Sequence, residues 1–403
     1  MTFRRRDLTR ALPVLVALLF IGFLTLEPRP RQAPLSAATP WLCLVCGPLG
    51  TVDVLLNIAL FAPLGLALQR VGRTTLTVLL IGLATSVGVE ALQLAVISGR
   101  DSSLSDLLTN TLGSWLGYRL GRGLPTLLHP DPRRSHRLAL LASGFWLLLL
   151  GFTAWAVRPA PPPGNLALRL TPFVPGLETF RGRVIETAFG AGGAAQSAAA
   201  IRRELSAGRG SLRARVTLES WPEALAPVVD ISGASQVSAA RLGQLGQKVL
   251  FSVRTNAERV RLRTPSVKVY RALPAPAGQE VTIGGSLSQA KLGAYADDGE
   301  SLRSASLALT PGLGWALVLP LTRYPFDYRP DITSAVWTAL PLVIVGYWMA
   351  RSRAGRKRQR WRTGVWYGAW GGVLLSFGLM AIPSLGGVAA QGGRGWVACA
   401  GAL

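Results

Sequence analysis

Two hydrophobic patterns divide the chain. Long apolar runs, near the ~20 residues that a membrane-crossing helix needs, occupy 11–26, 52–68, 75–97, 104–120, 138–157, 332–350 and 363–382. The fourth is interrupted by Asp106, Asn110 and Gly117. Between Arg158 and Asp331 the long runs vanish and alternation at period two replaces them, the signature of half-buried strands. Over 211–219, Leu212, Ala214, Val216 and Leu218 point one way, and Arg213, Arg215, Thr217 and Glu219 the other. Val249, Phe251 and Val253 repeat the pattern over 248–254, and 280–284, 290–296, 304–309 and 315–321 read as further strands. Turns rich in Gly, Asp and Ser separate them, as at Asp297-Asp298-Gly299. Short strands so spaced predict an antiparallel sandwich. A stiff proline segment, 159–163, leads into it. The pattern therefore predicts a multi-span α-helical membrane protein, with seven transmembrane helices and an all-β antiparallel sandwich between the fifth and sixth.

Charge sets the orientation. The 403 residues carry a formal charge of +23, yet charged residues are only 16% of the chain, against ~25% in soluble domains. Mean hydropathy is +0.34. These values exclude a disordered chain and an ordinary soluble enzyme. The basic residues collect at alternate connections: Arg4, Arg5, Arg6 and Arg10; Arg70 and Arg73; Arg119, Arg122, Arg133, Arg134 and Arg137; and seven between Arg351 and Arg362. The opposite short segments hold only Arg29, Arg31, Arg100 and Arg394. Lys and Arg mark the cytoplasmic side, so the N-terminus is expected inside, and the sandwich and C-terminus outside. The charge excess is topology, and no nucleic-acid partner is expected. Arg4–Arg6 followed by a short apolar run and Ser36-Ala37-Ala38 has the form of a signal peptide. The proline-rich 27–34 segment stands between that run and a cleavage site, which favours a retained anchor.

The first four spans carry polar residues that a membrane tolerates at a cost. Asp53 and Asn57 are four apart on the second span; Glu90 and Gln93 are three apart on the third; Arg100 and Asp101 lie in the next loop; Asp106 and Asn110 are four apart on the fourth. With spans two and four running inward and span three outward, all eight fall in one band under the outer surface. An Arg at that mouth can pair with phosphate or carboxylate, and the acids and amides beside it can bond sugars or peptides. The same groups can instead bond helix to helix, with Arg100 pairing to Asp101 or Asp106. Gly113 and Gly117 make a small-residue face for packing, and Pro63 predicts a kink in the second span.

Other chemistry is sparse. Cys43 and Cys46 form a C-x-x-C outside the membrane without the strand–helix context of a redox motif, and with no histidine nearby they do not close a zinc site. They are expected as an outer disulfide or two thiols. His129 and His136 are the only histidines. No catalytic triad, H-E-x-x-H or P-loop occurs. The acidic turn at Asp297, Asp298 and Glu300 reads as a hairpin turn or, less plainly, as a metal loop. No metal and no cofactor is expected. The Gly/Ala-rich tail, 386–403, predicts nothing.

The ordered blocks Asp53-x3-Asn57-x3-Phe61-x-Pro63-x-Gly65, Glu90-x2-Gln93, Gly99-Arg100-Asp101 and Asp106-x3-Asn110-x2-Gly113-x3-Gly117 resemble the VanZ-like family of bacterial membrane proteins over residues 11–125. The resemblance implies a multi-pass protein of the bacterial cytoplasmic membrane with a cell-envelope role. The family is similar to a protein linked to teicoplanin resistance. The order of Val228–Ser232, 242–254, 279–283 and 292–299 resembles the laminin-G and concanavalin-A-like lectin/glucanase sandwiches, which implies a carbohydrate partner for the outer segment. The Glu–x–Asp–x–x–Glu set of such glucanases is missing. The expected organisation is a VanZ-like four-helix domain over 1–125, a basic cytoplasmic loop and fifth span over 126–157, the extracytoplasmic sandwich over 158–331, and two C-terminal spans with an outer tail over 332–403. The expected function is recognition of a membrane lipid or cell-wall precursor at Asp53, Asn57, Glu90, Gln93, Arg100, Asp101, Asp106 and Asn110, with a contribution to glycopeptide resistance. Two other classes remain open. One is an intramembrane enzyme acting on a polyprenyl-phosphate or phospholipid head group through Glu90, Asp101 or Asp106. The other is a flippase or transporter, for which the expected internal repeat is missing.

Overall fold

The computed structural model of the protein describes residues 5–26, 47–96, 104–190, 197–233, 236–274, 278–320, 329–353 and 360–403. The chain divides into two compact units, Met1–Pro130 and Asp131–Leu403.

Among the described residues, unit one is four helices: α1 (Arg5–Thr25), α2 (Gly50–Arg70), α3 (Thr75–Val96) and α4 (Leu104–Leu128). Ala17 and Ile21 of α1, Phe61, Leu64 and Leu68 of α2, Val78 and Val89 of α3, and Tyr118 of α4 form its apolar centre. The tight turn between α2 and α3 closes at Gly72, whose φ of +78° is open to glycine without the strain a side chain adds.

Unit two opens with α5 (Pro132–Ala156). Asp131 caps it, accepting from the backbone N–H of Arg133 at 3.0 Å and of Arg134 at 2.9 Å, while Pro132 supplies a pre-set φ at the first helical position. The Arg134 N–H, ahead of all other contacts, holds the Asp131 carboxyl below the ordinary range. The sandwich follows: β1 (Ala167–Leu170), β2 (Gly182–Phe189), α6 (Ala198–Ser206), β3 (Gly210–Leu218), β4 (Ala226–Ser232), β5 (Ser238–Leu245), β6 (Lys248–Val253), β7 (Ser266–Val269), β8 (Glu280–Ser288), β9 (Lys291–Asp297) and β10 (Leu302–Ala308). One sheet has the order β1-β4-β5-β6-β7 and the other β10-β9-β8-β3-β2, every described pair antiparallel. Their inner faces meet where the Phe251 ring of β6 occupies the space that a Cβ on Gly285 of β8 would need. The alternation in β3 is obeyed in full: Leu212, Ala214, Val216 and Leu218 are buried, while Arg213 and Arg215 are exposed. Each fully buried Val or Leu stabilises the core by roughly 1.5–3 kcal/mol.

The rest of the chain is α7 (Gly314–Val318), α8 (Pro330–Arg353), α9 (Arg360–Ser376), a π-helical turn Phe377–Ala381, α10 (Ile382–Gly386) and α11 (Gly393–Ala402). Trp146 of α5 fixes this bundle. It is fully buried, its indole N–H donates to the Thr338 carbonyl of α8 at 2.8 Å, and its ring lies where a Cβ on Gly378 in the π turn would fall.

One expectation changes and three features gain detail. The segment 315–321 is not a strand: Gly314–Val318 is a short helix entered through a 3₁₀ turn at Pro311–Leu313. Trp315 stacks edge-on against Trp337 of α8, ring centroids 5.1 Å apart. A short apolar run does not distinguish strand from buried helix, and the docking against α8 decides it. The tail is not featureless, because α11 buries Cys399 in the α5–α8 core. The proline segment is tied down, with Ala160 N–H donating to Arg254 carbonyl at 2.9 Å and Asn256 Nδ2 to the Trp155 carbonyl at 3.1 Å. Finally, the acidic hairpin turns its carboxylates on its own backbone: Asp298 Oδ1 accepts from Ser301 N–H at 2.7 Å and Glu300 N–H at 3.0 Å, chiefly the former lowering the Asp298 carboxyl below its ordinary range.

Among the described residues, five helices are long and apolar enough to cross a membrane: Gly50–Arg70, Thr75–Gln93, Pro132–Ala156, Pro330–Ser352 and Val365–Gly386. The described apolar part of the first expected span is the shorter helix Ala11–Thr25.

Lys268 of β7 gives the sandwich a pH dependence. It is 6% exposed, its amine has no hydrogen-bond partner among the described residues, and it lies 5.3 Å from the Tyr270 ring centroid. Burial first, and then Lys248, lowers it from 10.5 to about 8. Between those values the unfolded chain binds more protons than the folded one, so stability rises with pH over that window and the penalty is complete below it. Thermal unfolding of the detergent-solubilised chain should show a melting temperature that climbs from pH 8 to pH 10. Lys268→Met should raise it at pH 7 and flatten the climb.

Candidate functional site

Helix α4 is built inside out relative to a water-soluble helix. The buried stripe of α4 is Ser105, Thr109, Asn110, Gly113, Ser114, Gly117, Tyr118 and Gly121. The opposite stripe, Leu108, Leu112, Leu116 and Leu120, is exposed. Small and polar inside with leucine outside is what helices packed in lipid require, since apolar surface gains nothing by turning inward there. This face is also why α4 is less apolar than the five helices long and apolar enough to cross a membrane.

The small residues set the helix spacing. A Cβ on Gly113 would meet the Ile58 carbonyl of α2, one on Gly117 the Ala62 carbonyl, and one on Gly65 of α2 the Ser114 carbonyl, each well inside contact distance. Contacts advance together along the two helices, so α2 and α4 run parallel. On its other side α4 meets α3 in the opposite sense: Ser114 lies against Gly82, its Oγ 2.8 Å from where a Cβ would sit, and Ser86 against Asn110.

Polar bonds ride on this register. Asn57 Nδ2 donates to Asp106 Oδ1 at 2.6 Å and to Thr109 Oγ1 at 3.3 Å, linking α2 to α4. Asn110 Nδ2 donates to Ser86 Oγ at 2.9 Å, linking α4 to α3. Since Ser86 faces Asn110, Glu90 four residues on lies level with Asp106 four residues back. Glu90 is buried, Asp106 half-buried, and Asp53, one turn before Asn57, exposed. Three carboxylates from three helices thus share one level. Gln93 goes elsewhere: its Nε2 donates to the Thr25 carbonyl of α1 at 3.0 Å. Arg100 and Asp101 lie outside the described residues.

So Asn57, Gln93 and Asn110 bond helix to helix, each such bond worth about 0.6 kcal/mol in a membrane. The sequence reading passed over Ser86, Thr109, Ser114 and Thr25. Their signal was the i, i+4 spacing of Ser86 to Glu90 and of Asn110 to Ser114, on the faces already marked by acids and amides. Asn110 Oδ1 and Ser114 Oγ are buried without hydrogen-bond partners among the described residues, one turn apart on the same stripe. Among the described residues no three His, Cys, Asp or Glu side chains gather to hold a metal ion. What the arrangement can do is present a polar end: carboxylates accept from hydroxyls and amines, on a helix trio whose spacing is fixed by backbone contact.

A family model described as VanZ/LLP1 matches residues 12–125. The match begins in α1, ends in the last turns of α4 and so covers the helices that build this site. No curated protein and no solved structure matches the chain.

The glycine contacts make a sharp contrast testable. Gly65→Val and Gly117→Val should abolish the monodisperse peak of the detergent-extracted chain in size-exclusion chromatography. Gly88→Ala on α3, where a Cβ meets nothing within 4 Å, should leave it intact.

Proposed function

We propose that this chain is a VanZ-like protein of the bacterial cell envelope whose first four helices recognise the polar head of a lipid-linked or cell-wall precursor. The observation that carries the reading is the shared level of Asp53, Glu90 and Asp106 at one end of α2, α3 and α4. Charge near the centre of a bilayer costs ~2.5–3.5 kcal/mol or more per residue, and three acids on three adjoining helices stay affordable only at a mouth open to polar groups. The helix-to-helix bonds account for the amides Asn57, Gln93 and Asn110; Asp106 shares one of them, accepting from Asn57, and in this reading the acids also supply the charge that meets the head group. Arg100 and Asp101 follow α3 and precede α4 in the sequence. Arg100 takes the anionic group of the head, and Glu90 and Asp106 take its hydroxyls or amides.

All four basic clusters fall on the other side of this reading. The mouth opens to the outside, α4 crosses the membrane with its leucine stripe in lipid, α1 and α9–α10 complete seven spans, and the sandwich stands outside. There its lectin-like order suits carbohydrate of the envelope. A protein holding such a precursor alters what glycopeptides of the teicoplanin type can reach, as the family resemblance implies.

Native mass spectrometry of the full chain extracted in mild detergent tests this. A retained lipid-linked sugar or peptide head group that disappears in Arg100→Ala and weakens at least tenfold in Glu90→Gln is the expected result. Equal retention by wild type and both folded variants would overturn it.

A further inference from the structure

A second lipid-facing feature lies in unit two, far along the chain from the family match. Between α5 and α8 runs an apolar groove of about 330 Å³, at the lower end of the ~300–1,000 Å³ of small-ligand clefts. Leu138, Leu141 and Phe145 form one wall and Pro341, Ile344 and Trp348 the other. Pro341 lacks the N–H that would close its turn, and the gap opens beside it. Leu138 to Phe145 rises about 10 Å at ~1.5 Å per residue, the length of a stretch of acyl chain and not of a whole span.

One end of the groove is basic. The helices run antiparallel here, since Trp146 of α5 bonds Thr338 of α8, while ten residues earlier on α5 His136 shares the Tyr367 hydroxyl with Ser352, near the end of α8. Arg134 sits one turn before Leu138 and two before Leu141, on the same face of α5. Arg351 sits one turn beyond Trp348 and two beyond Ile344, on the same face of α8. The two arginines therefore flank one mouth. The Arg351 Nε–H is buried with no acceptor among the described residues. A buried donor left without a partner is costly, so this position calls for an anion. The acid nearest Arg134 in sequence, Asp131, has its carboxylate turned on the backbone N–H groups of Arg133 and Arg134. The polar groups deeper at this end are also engaged: Ser352 Oγ donates to Tyr367 Oη at 2.8 Å, and His136 Nδ1 lies 3.2 Å from the same oxygen.

We infer that the α5–α8 groove is a binding site for one anionic membrane phospholipid, its phosphate between Arg134 and Arg351 and its acyl chain along Leu138 to Phe145. Charge complementarity chooses the occupant. Guanidinium groups pair phosphate oxygens bidentately, basic pockets between spans take anionic head groups, and a detergent-sized apolar molecule without the anion would leave Arg351 as it is. The site is independent of the α2–α4 reading, because it shares no residue with it.

The test uses the full chain, delipidated and returned to nanodiscs of phosphatidylcholine with increasing phosphatidylglycerol, and counts retained lipids by native mass spectrometry after release. Wild type should retain one phosphatidylglycerol in preference to phosphatidylcholine. R134Q/R351Q should weaken that retention more than tenfold. Ala142→Trp, which fills the groove floor while leaving both arginines, should abolish it. Leu140→Trp, on the opposite face of α5, should not. Melting temperatures establish that each variant is folded, and if one is not, the other decides. Equal retention in wild type and a folded groove or arginine variant, or no preference for the anionic lipid, would overturn the inference. Arg100→Ala should leave this lipid bound, which separates its failure from failure of the reading above.

Discussion

The close approach of α2 to α4 is the constraint on which unit one depends. Gly65, Gly113 and Gly117 bring two helix backbones to a distance where no side chain fits. In lipid, no hydrophobic force between helices replaces that contact, so packing and interhelical hydrogen bonds have to supply the association. Once the backbones touch, the register is set, and Asn57 reaches Asp106 while Asn110 reaches Ser86. The polar level that forms the candidate site is a consequence of glycine placement two to three turns away. A side chain added at Gly117 would displace not only its own turn but every polar pair above it.

Unit two solves a different problem. A sandwich inserted between two apolar helices could hang on flexible linkers, and here it does not. Ala160 pairs with Arg254, Asn256 caps the end of α5 through the Trp155 carbonyl, and Ala389 N–H donates to the Leu309 carbonyl at 2.9 Å. Trp315 against Trp337 adds an aromatic contact at the exit. Entry and exit strands are thereby fastened to α5, α8 and the segment before α11, so the orientation of the sandwich on those helices is built into the fold.

Much of the candidate site was legible in the chain because its residue types are unusual where they stand. Asp53, Glu90 and Asp106 in apolar runs draw attention through cost alone, and helical spacing gave their common level. Ser86, Ser114 and Thr109 did not stand out, since hydroxyls are ordinary in membrane helices and only a partner gives them meaning. The partner of Gln93 was not legible for the same reason: its spacing from Glu90 is right for a shared face, and the bond to α1 at Thr25 depends on a helix whose position no local pattern reports. The helix at Gly314–Val318 was read as a strand because five apolar residues carry too little periodicity to separate two periods.

By itself, the sequence determined the type of most elements, the order of the long apolar helices and the sandwich strands, the inward face of β3 and the glycine stripe of α4. These follow from periodicity and composition, which act within one element. Tertiary structure alone decided which stripe meets which: that α2 and α4 are parallel neighbours with α3 against the other side of α4, that Trp146 needs the space at Gly378, and that α11 buries Cys399. Such choices rest on shape complementarity between surfaces distant in the chain, and a pattern read along one element contains no term for the surface it will meet.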